Sequence, residues 1–266
     1  MTQNTNTQLP TSKNERVEEV FELFIKHMKE FFDEAKLNHE EYTNFVDWAD
    51  RLGKSGELPL YADVFLETHV LQAMYTELPG TQPSLLGPYY VDESPYVEAD
   101  EEGIIDLPKR ENEPGDVLYF SGTVKNVDGE VLANADVDYW QNDNSAKYSN
   151  FDSDAPDFNL RGRFKTDENG KFTVKTIQAV PYAIPDQGPT GEFLGYMDQH
   201  PMRPAHLHIM FKAPGHETLI TQVFFEGDEW METDVAEGVR DELITTLEEK
   251  DGYKEASLDF VLRKDQ

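Results

Sequence analysis

Two histidines one residue apart, His206 and His208 in the stretch Arg203-Pro204-Ala205-His206-Leu207-His208, stand downstream of Tyr148 and Tyr182. On a β-strand, residues i and i+2 project to the same face, so both imidazoles could reach one ion if the strand borders a cavity. With the two tyrosines they offer two anionic oxygens and two neutral nitrogens. A phenol gives up its proton only near pH 10, so phenolate ligation at neutral pH calls for a strongly Lewis-acidic ion. Ferric iron fits this set better than zinc, which more often takes carboxylate, histidine or cysteine. A single His-x-His pair or a lone tyrosine is usually a packing or surface residue, and only the combination points to a metal.

Other side chains could join that chemistry. Arg203 cannot accept a proton at ordinary pH, but its guanidinium could hold developing negative charge beside a metal. Gln222, in the strand-like run LITQVFFEG, could donate an amide hydrogen bond into the same cavity. Pro181, Pro185, Pro189 and Pro204 restrict the backbone near these residues, while Gly188, Gly191 and Gly215 allow tight bends. His200 and His216 flank the pair as alternative ligands in loops, and Asp186 and Asp198 could serve a different metal. Asp152 could orient a ligand. His27, His39 and His69 fall in a helical region, where core or surface roles are expected.

The elements that must position these groups show two periods. From about Asn14 to Glu77 apolar residues recur at helical spacing, which predicts three or four amphipathic helices with breaks near Leu37-Asn38, Gly53–Gly56 and Pro79-Gly80. After Pro83 the chain becomes short runs separated by Gly, Pro, Asn and Asp, the pattern of an antiparallel sandwich or barrel. Asn169-Gly170 predicts a hairpin between Arg163-Phe164 and Phe172–Val174. Residues 234–250 return to helical spacing, and DFVLRK reads as a final strand. The expected fold class is therefore α+β. A polar tail and helical region span 1–83, and a mainly antiparallel β-sandwich spans 84–266, with a C-terminal helix expected to pack on the helical region.

Composition narrows the partners. Lys and Arg total 23 against 53 Asp and Glu, and a formal charge of -30 argues against nucleic-acid backbones and anionic membranes. The absence of cysteine excludes disulfides, thiolate metal sites, iron-sulfur clusters and cysteine nucleophiles. Any metal must use nitrogen and oxygen. No secretory core or bilayer-length apolar run is present, so a cytoplasmic location is expected.

Several motifs in order, LLGPYY, YSNFD, NLRGRF, the Val180–Gly191 segment, RPAHLH and TQVFFEGD, give the chain a resemblance to the intradiol ring-cleavage dioxygenases that act on catechol, chlorocatechol and hydroxyquinol. The resemblance runs from about Ser84 to Glu229 and implies one Fe(III) per subunit, with Tyr148, Tyr182, His206 and His208 as its ligands. It also implies that Tyr182 leaves the metal and acts as a base, that Arg203 lies beside the substrate, and that Gln222 stands behind the ligands. Leu60, Asp63, Val64, Leu86, Gly87, Pro88 and Tyr90 are nominated against the ring. The implied reaction is O2-dependent cleavage of catechol between its hydroxylated carbons to cis,cis-muconate, with hydroxyquinol or chlorocatechol as alternative substrates. The family likeness further implies a homodimer formed through the helical region, with phospholipid in a tunnel there. Two departures stand out: Ala146 occupies a position that is commonly glycine, and Ile209 one that is often phenylalanine. Outside the resemblance, a noncatalytic β-sandwich binding protein and a zinc hydrolase remain open readings of the same residues.

Overall fold

The computed structural model describes residues 14–265, and the polar N-terminal tail lies outside them. The chain forms two compact units, Met1–Lys54 and Ser55–Gln266. In the first, helix α1 (Glu15–Ala35) starts where the Asn14 side chain accepts from the amides of Arg16 and Val17, and it ends at Lys36 with a left-handed φ of 53°. Asn38 then opens α2 (His39–Ser55): its Oδ1 accepts from the amides of Glu40 and Glu41, while Glu41 accepts from the Asn38 amide. The break falls where the sequence predicts it. Along α1, Phe21, Phe24 and Ile25 are about half exposed.

Near the start of the second unit, Gly56, with a φ of +80°, turns the chain into α3 (Leu58–Ala62). A π-helical turn, Asp63–Glu67, follows, and then α4 (Thr68–Tyr75). The strands are β1 (Ile104–Asp106), β2 (Val117–Asn126), β3 (Asp136–Trp140), β4 (Arg161–Lys165), β5 (Lys171–Ile177), β6 (Tyr182–Ala183), β7 (Met202–Arg203), β8 (His206–Lys212), β9 (Leu219–Phe225), β10 (Ile244–Thr245), β11 (Glu248–Glu249), β12 (Lys254–Ser257) and β13 (Phe260–Leu262). Helix α5 (Pro189–Tyr196) lies between β6 and β7.

One sheet runs β1-β5-β2-β12-β11, with β13 also on β2, and the other runs β10-β9-β8-β3-β4. The long ladders, β2 with β5 and β8 with β3 and β9, are antiparallel, while β1, β10, β12 and β13 add short parallel pairings. Leu118, Phe120, Val124 and Val174 of the first sheet face Val137, Leu207, Ile209, Phe211 and Val223 of the second in one buried core. This is the expected helical region followed by a sandwich.

Two expectations require correction. The Asp167–Gly170 turn forms, with the Asp167 carboxylate accepting from the amides of Asn169 and Lys171, but β4 and β5 do not pair with each other. They join opposite sheets, because β4 takes its partners from β3 while β5 takes its own from β1 and β2. Only Gly170 has positive φ in this turn, and a Cβ there would meet the Val124 carbonyl at 2.7 Å. Second, 234–250 is not a C-terminal helix. Asp234 turns the backbone by accepting from the amides of Ala236 and Gly238, and after a short 3-10 turn Ile244-Thr245 pairs with Phe224-Phe225. Helical spacing there reflects apolar residues taken up by a loop and two short strands.

Candidate active site

Strand β8 is buried on both faces. Leu207, Ile209 and Phe211 enter the sandwich core, and His206, His208 and Met210 point the other way, toward a second apolar cluster with Trp140, Tyr148 and Tyr182. The Nε2 atoms of His206 and His208 come within 3.1 Å of each other. His206 Nδ1 lies 2.7 Å from the Pro204 carbonyl, so it carries the proton and leaves the Nε2 lone pair free. The Tyr182 ring lies 5.5 Å from His206, the Tyr148 ring 6.1 Å from His208, and the two phenol rings 5.6 Å apart. Tertiary structure therefore gathers all four side chains into one buried place.

Their electrostatics suit a cation. Burial, aided by Arg203, pushes His206 down to about 3, and burial, His206 and Arg203 drive His208 well below the usual range. Both imidazoles are neutral at pH 7. Burial raises Tyr148 and Tyr182, so their phenolates need a positive partner. Tyr148 Oη is buried and has no hydrogen-bond partner among the described residues. Nor do those residues contain a cluster of three or more His, Cys, Asp or Glu, so an ion held here would depend on the phenols. An orphaned phenol oxygen beside two converging neutral nitrogens fits ferric iron.

Local structure explains how each group is aimed. Tyr148 follows a tight turn in which the Asp143 carboxylate accepts from the amides of Ser145 and Lys147, and Asp152 accepts from the Tyr148 amide at 2.8 Å. Ala146 sits in this turn with φ 61°, a conformation that glycine adopts without penalty. Tyr182 and Arg203 are direct partners in the β6–β7 ladder. Trp140 and Gln222 are the cross-strand neighbours of His208, and the Trp140 ring stacks on His208 at 4.8 Å.

Arg203 is buried and makes a two-point ion pair with Asp234, at 2.9 and 3.0 Å, while its Nη2 also donates to Gln222 Oε1. Burial works against the Arg203 charge, but Asp234 and the two tyrosines outweigh it and hold the group above the ordinary arginine range. The Gln222 amide donates to the Leu85 carbonyl and lies 3.4 Å from His208 Nδ1. Arg203 and Gln222 thus form one bonded unit beside the four side chains.

A pocket opens next to Tyr182 and Arg203. Leu60, Asp63, Val64, Gly87 and Pro88 line it, as do Leu85, Tyr89, Ile184, Pro185 and Ala236. Leu86 and Tyr90 pack around the neighbouring cluster instead of lining this pocket. Tyr90 sets its ring against Trp140 and its hydroxyl on Asp138. Tyr89, its neighbour in LLGPYY, stacks on Tyr148 at 4.4 Å. Asp63 begins the π-helical turn, and burial raises its proton affinity. The alternative histidines lie elsewhere, His200 against Thr233 and Trp230, His216 on the Pro214 carbonyl, and Asp186 and Asp198 are exposed.

Sequence reasoning missed Asp234, Trp140, Tyr89 and Arg161. The doubled tyrosine of LLGPYY was a signal for Tyr89, whereas Asp234 has none, because its partner is brought from 31 residues away by the loop after β9. Arg161 is wholly buried behind Tyr148, its guanidinium 5.9 Å from the ring centre. Burial lowers it to about 10, against the raising influence of Tyr148 and Asp138, so it stays cationic at neutral pH.

Comparison with known proteins agrees with this architecture. Residues 85–264 match a family described as Dioxygenase, and residues 14–80 match Catechol dioxygenase N terminus. The chain is 35% identical over 249 residues to chlorocatechol 1,2-dioxygenase of Cupriavidus pinatubonensis, covering 94% of this chain and 95% of the relative. It is 35% identical over 262 residues to 6-chlorohydroxyquinol 1,2-dioxygenase of the same organism, covering 96% and 93%. The crystal structure of 3-chlorocatechol 1,2-dioxygenase from Rhodococcus opacus 1CP superposes with a TM-score of 0.86 at 35% identity, covering 95% of this chain and all of that one.

Proposed function

This chain belongs to the intradiol catechol, chlorocatechol and hydroxyquinol 1,2-dioxygenases, oxidoreductases that open an aromatic ring with O2, and we propose that it acts on a chlorinated catechol. Plain catechol, the first expectation from sequence, gives way because the two relatives named above carry chlorinated substrates in their names. A largely apolar lining from Leu60, Val64, Leu85, Pro88, Ile184 and Ala236 supports a ring bearing chlorine. Hydroxyquinol is a second reading, favoured by Asp63, whose carboxyl on the pocket wall could accept from a third hydroxyl.

In this reading Tyr148, Tyr182, His206 and His208 hold one Fe(III) per subunit, and the observation that carries it is the convergence of two neutral imidazoles with two buried phenols. Ferric iron held there would supply the Lewis acidity that draws electron density from the diol's ring and opens it to O2. As a phenolate, Tyr182 Oη would accept the proton of one substrate hydroxyl and become a neutral phenol, the form that burial favours. Arg203, fixed by Asp234 and Gln222, steadies the negative charge that accumulates as the ring opens. Tyr89 and the pocket wall exclude water and fix the plane of the ring.

We assign dimerisation to residues 1–83, from which Leu60, Asp63 and Val64 also wall the substrate pocket, and the remaining catalytic groups to 84–266. The apolar side chains exposed along α1 support a homodimer and would also suit a bound phospholipid. No helix among the described residues is long and apolar enough to cross a membrane, which is compatible with a cytoplasmic enzyme.

Oxygen uptake by ferric-loaded protein with catechol, chlorocatechols and hydroxyquinol, with product masses measured in the same reactions, tests the proposal. The expected result is a product heavier by both oxygen atoms and the highest kcat/KM on a chlorocatechol. A higher kcat/KM on catechol would overturn the substrate assignment, and no uptake by iron-replete protein on any diol would overturn the assigned chemistry. Asp63→Asn should selectively raise KM for hydroxyquinol if the second reading holds.

A further inference from the structure

The two buried arginines of the site differ in how their charge is met. Arg203 faces Asp234 in a two-point pair, so the pair adds no net charge. Arg161, at the start of β4, is equally buried but forms no ion pair with a carboxylate among the described residues. Its Nε donates to Ser149 Oγ at 2.8 Å and its Nη2 to the Ser149 carbonyl at 2.9 Å, while Nη1 has no partner. Ser149 directly follows Tyr148, so these bonds fasten the guanidinium to the backbone that carries the phenol. The guanidinium carbon lies 5.9 Å from the Tyr148 ring centre and 5.7 Å from that of Phe151. A buried cation without a carboxylate is unfavourable unless another negative group compensates it. Tyr148, as a phenolate, is the group the geometry supplies; Asp138 acts on Arg161 only from beyond pairing distance.

We propose that Arg161 is a positioning residue for Tyr148, one that orients the phenolate and stabilises its electrons with a positive charge left unneutralised beside the ring. The proposal rests on the reading that Tyr148 binds ferric iron. Stabilising those electrons makes the phenolate a weaker donor. Its charge-transfer absorption then lies at higher energy, and the ferric state is easier to reduce, than with a neutral side chain at 161.

The test uses full-length ferric protein carrying Arg161→Met or Arg161→Lys, with iron content, visible spectrum and iron reduction potential measured before any assay of activity. Arg161→Met should move the tyrosinate band to longer wavelength by on the order of 10 nm or more and lower the potential, whereas Arg161→Lys, which keeps the charge, should leave both near the parent values. An unmoved band in iron-replete Arg161→Met overturns the proposal. So does a band displaced to longer wavelength in Arg161→Lys, since a purely structural role suffers from the lost Ser149 contacts whatever the charge, and this outcome decides even where the Met variant does not fold. Parent protein that binds iron without a tyrosinate band would instead overturn the ligand assignment on which the proposal rests.

Discussion

Asp138 sits in the middle of β3 with one carboxylate oxygen accepting from Tyr90 and the other without a partner among the described residues. Burial raises it to about 6, although Tyr90, Arg163, Lys212 and Arg161 all favour its charge. A carboxyl that binds protons more tightly folded than unfolded favours the fold below its unfolded pKa, and that contribution is lost as pH rises through about 6. The shift corresponds to about 2–3 kcal/mol above pH 6. Asp138→Asn should therefore be more stable than the parent at pH 8 by about 1–2 kcal/mol, with the gain gone near pH 4; urea midpoints at both pH values would show it, and a pH-independent difference would contradict it. Asp234 has the opposite balance, since Arg203 outweighs burial and lowers its pKa. Replacing Asp234 by Asn leaves Arg203 buried and unpaired, an expected loss of about 3–5 kcal/mol in chemical unfolding. Of these roles, the His-x-His pair and the two tyrosines were visible as residue types in the sequence. Asp234 and Arg161 were not, because their meaning lies in partners that only the folded chain supplies.

At the scale of elements, the period-2 pattern of β8 carried the greatest information: it required His206 and His208 to share a face and Leu207 and Ile209 to fill the core. Helix boundaries near Leu37-Asn38 were also legible, since Asn38 is a capping residue by chemistry. Pairing was less so. Asn169-Gly170 predicted a hairpin, yet its turn joins two sheets, because a turn motif specifies local backbone and not which sheet each flanking strand enters. Residues 234–250 were misread for a related reason: apolar spacing cannot distinguish a helix from a loop that drops side chains into a core. Gly122 of β2 tests the packing of this architecture. A Cβ there would stand 2.3 Å from the Leu258 carbonyl and 3.0 Å from the Phe172 ring. Gly122→Ala should force the β12–β13 connection off β2 and cost about 1–3 kcal/mol, measurable as a lowered denaturation midpoint and faster amide exchange at Leu258. Unchanged stability would mean that the crossing is looser than its geometry implies.

For the whole molecule, the charge of -30 acts as a diffuse self-repulsion, spread across side chains that are mostly solvated. Screening shortens the reach of such charges to about 10 Å at 0.1 M salt. Melting temperature should therefore rise with sodium chloride from 10 mM to 0.5 M, while the buried Arg203–Asp234 pair should be nearly indifferent to it. A flat or falling curve would place the repulsion in the unfolded chain as much as in the fold. By itself the sequence determined what depends on residue type and short spacing: the two structural periods, the exclusion of thiolate chemistry, and the nitrogen and phenol side chains that we propose as iron ligands. Only tertiary structure decided which distant groups meet those donors. Asp234 reaches Arg203, Arg161 stands behind Tyr148, and Tyr89 lines the pocket while Tyr90 packs beside it. The reason is physical, since a strand's alternation is written every second residue, whereas the partner of a buried charge is chosen by how sheets and loops close around it.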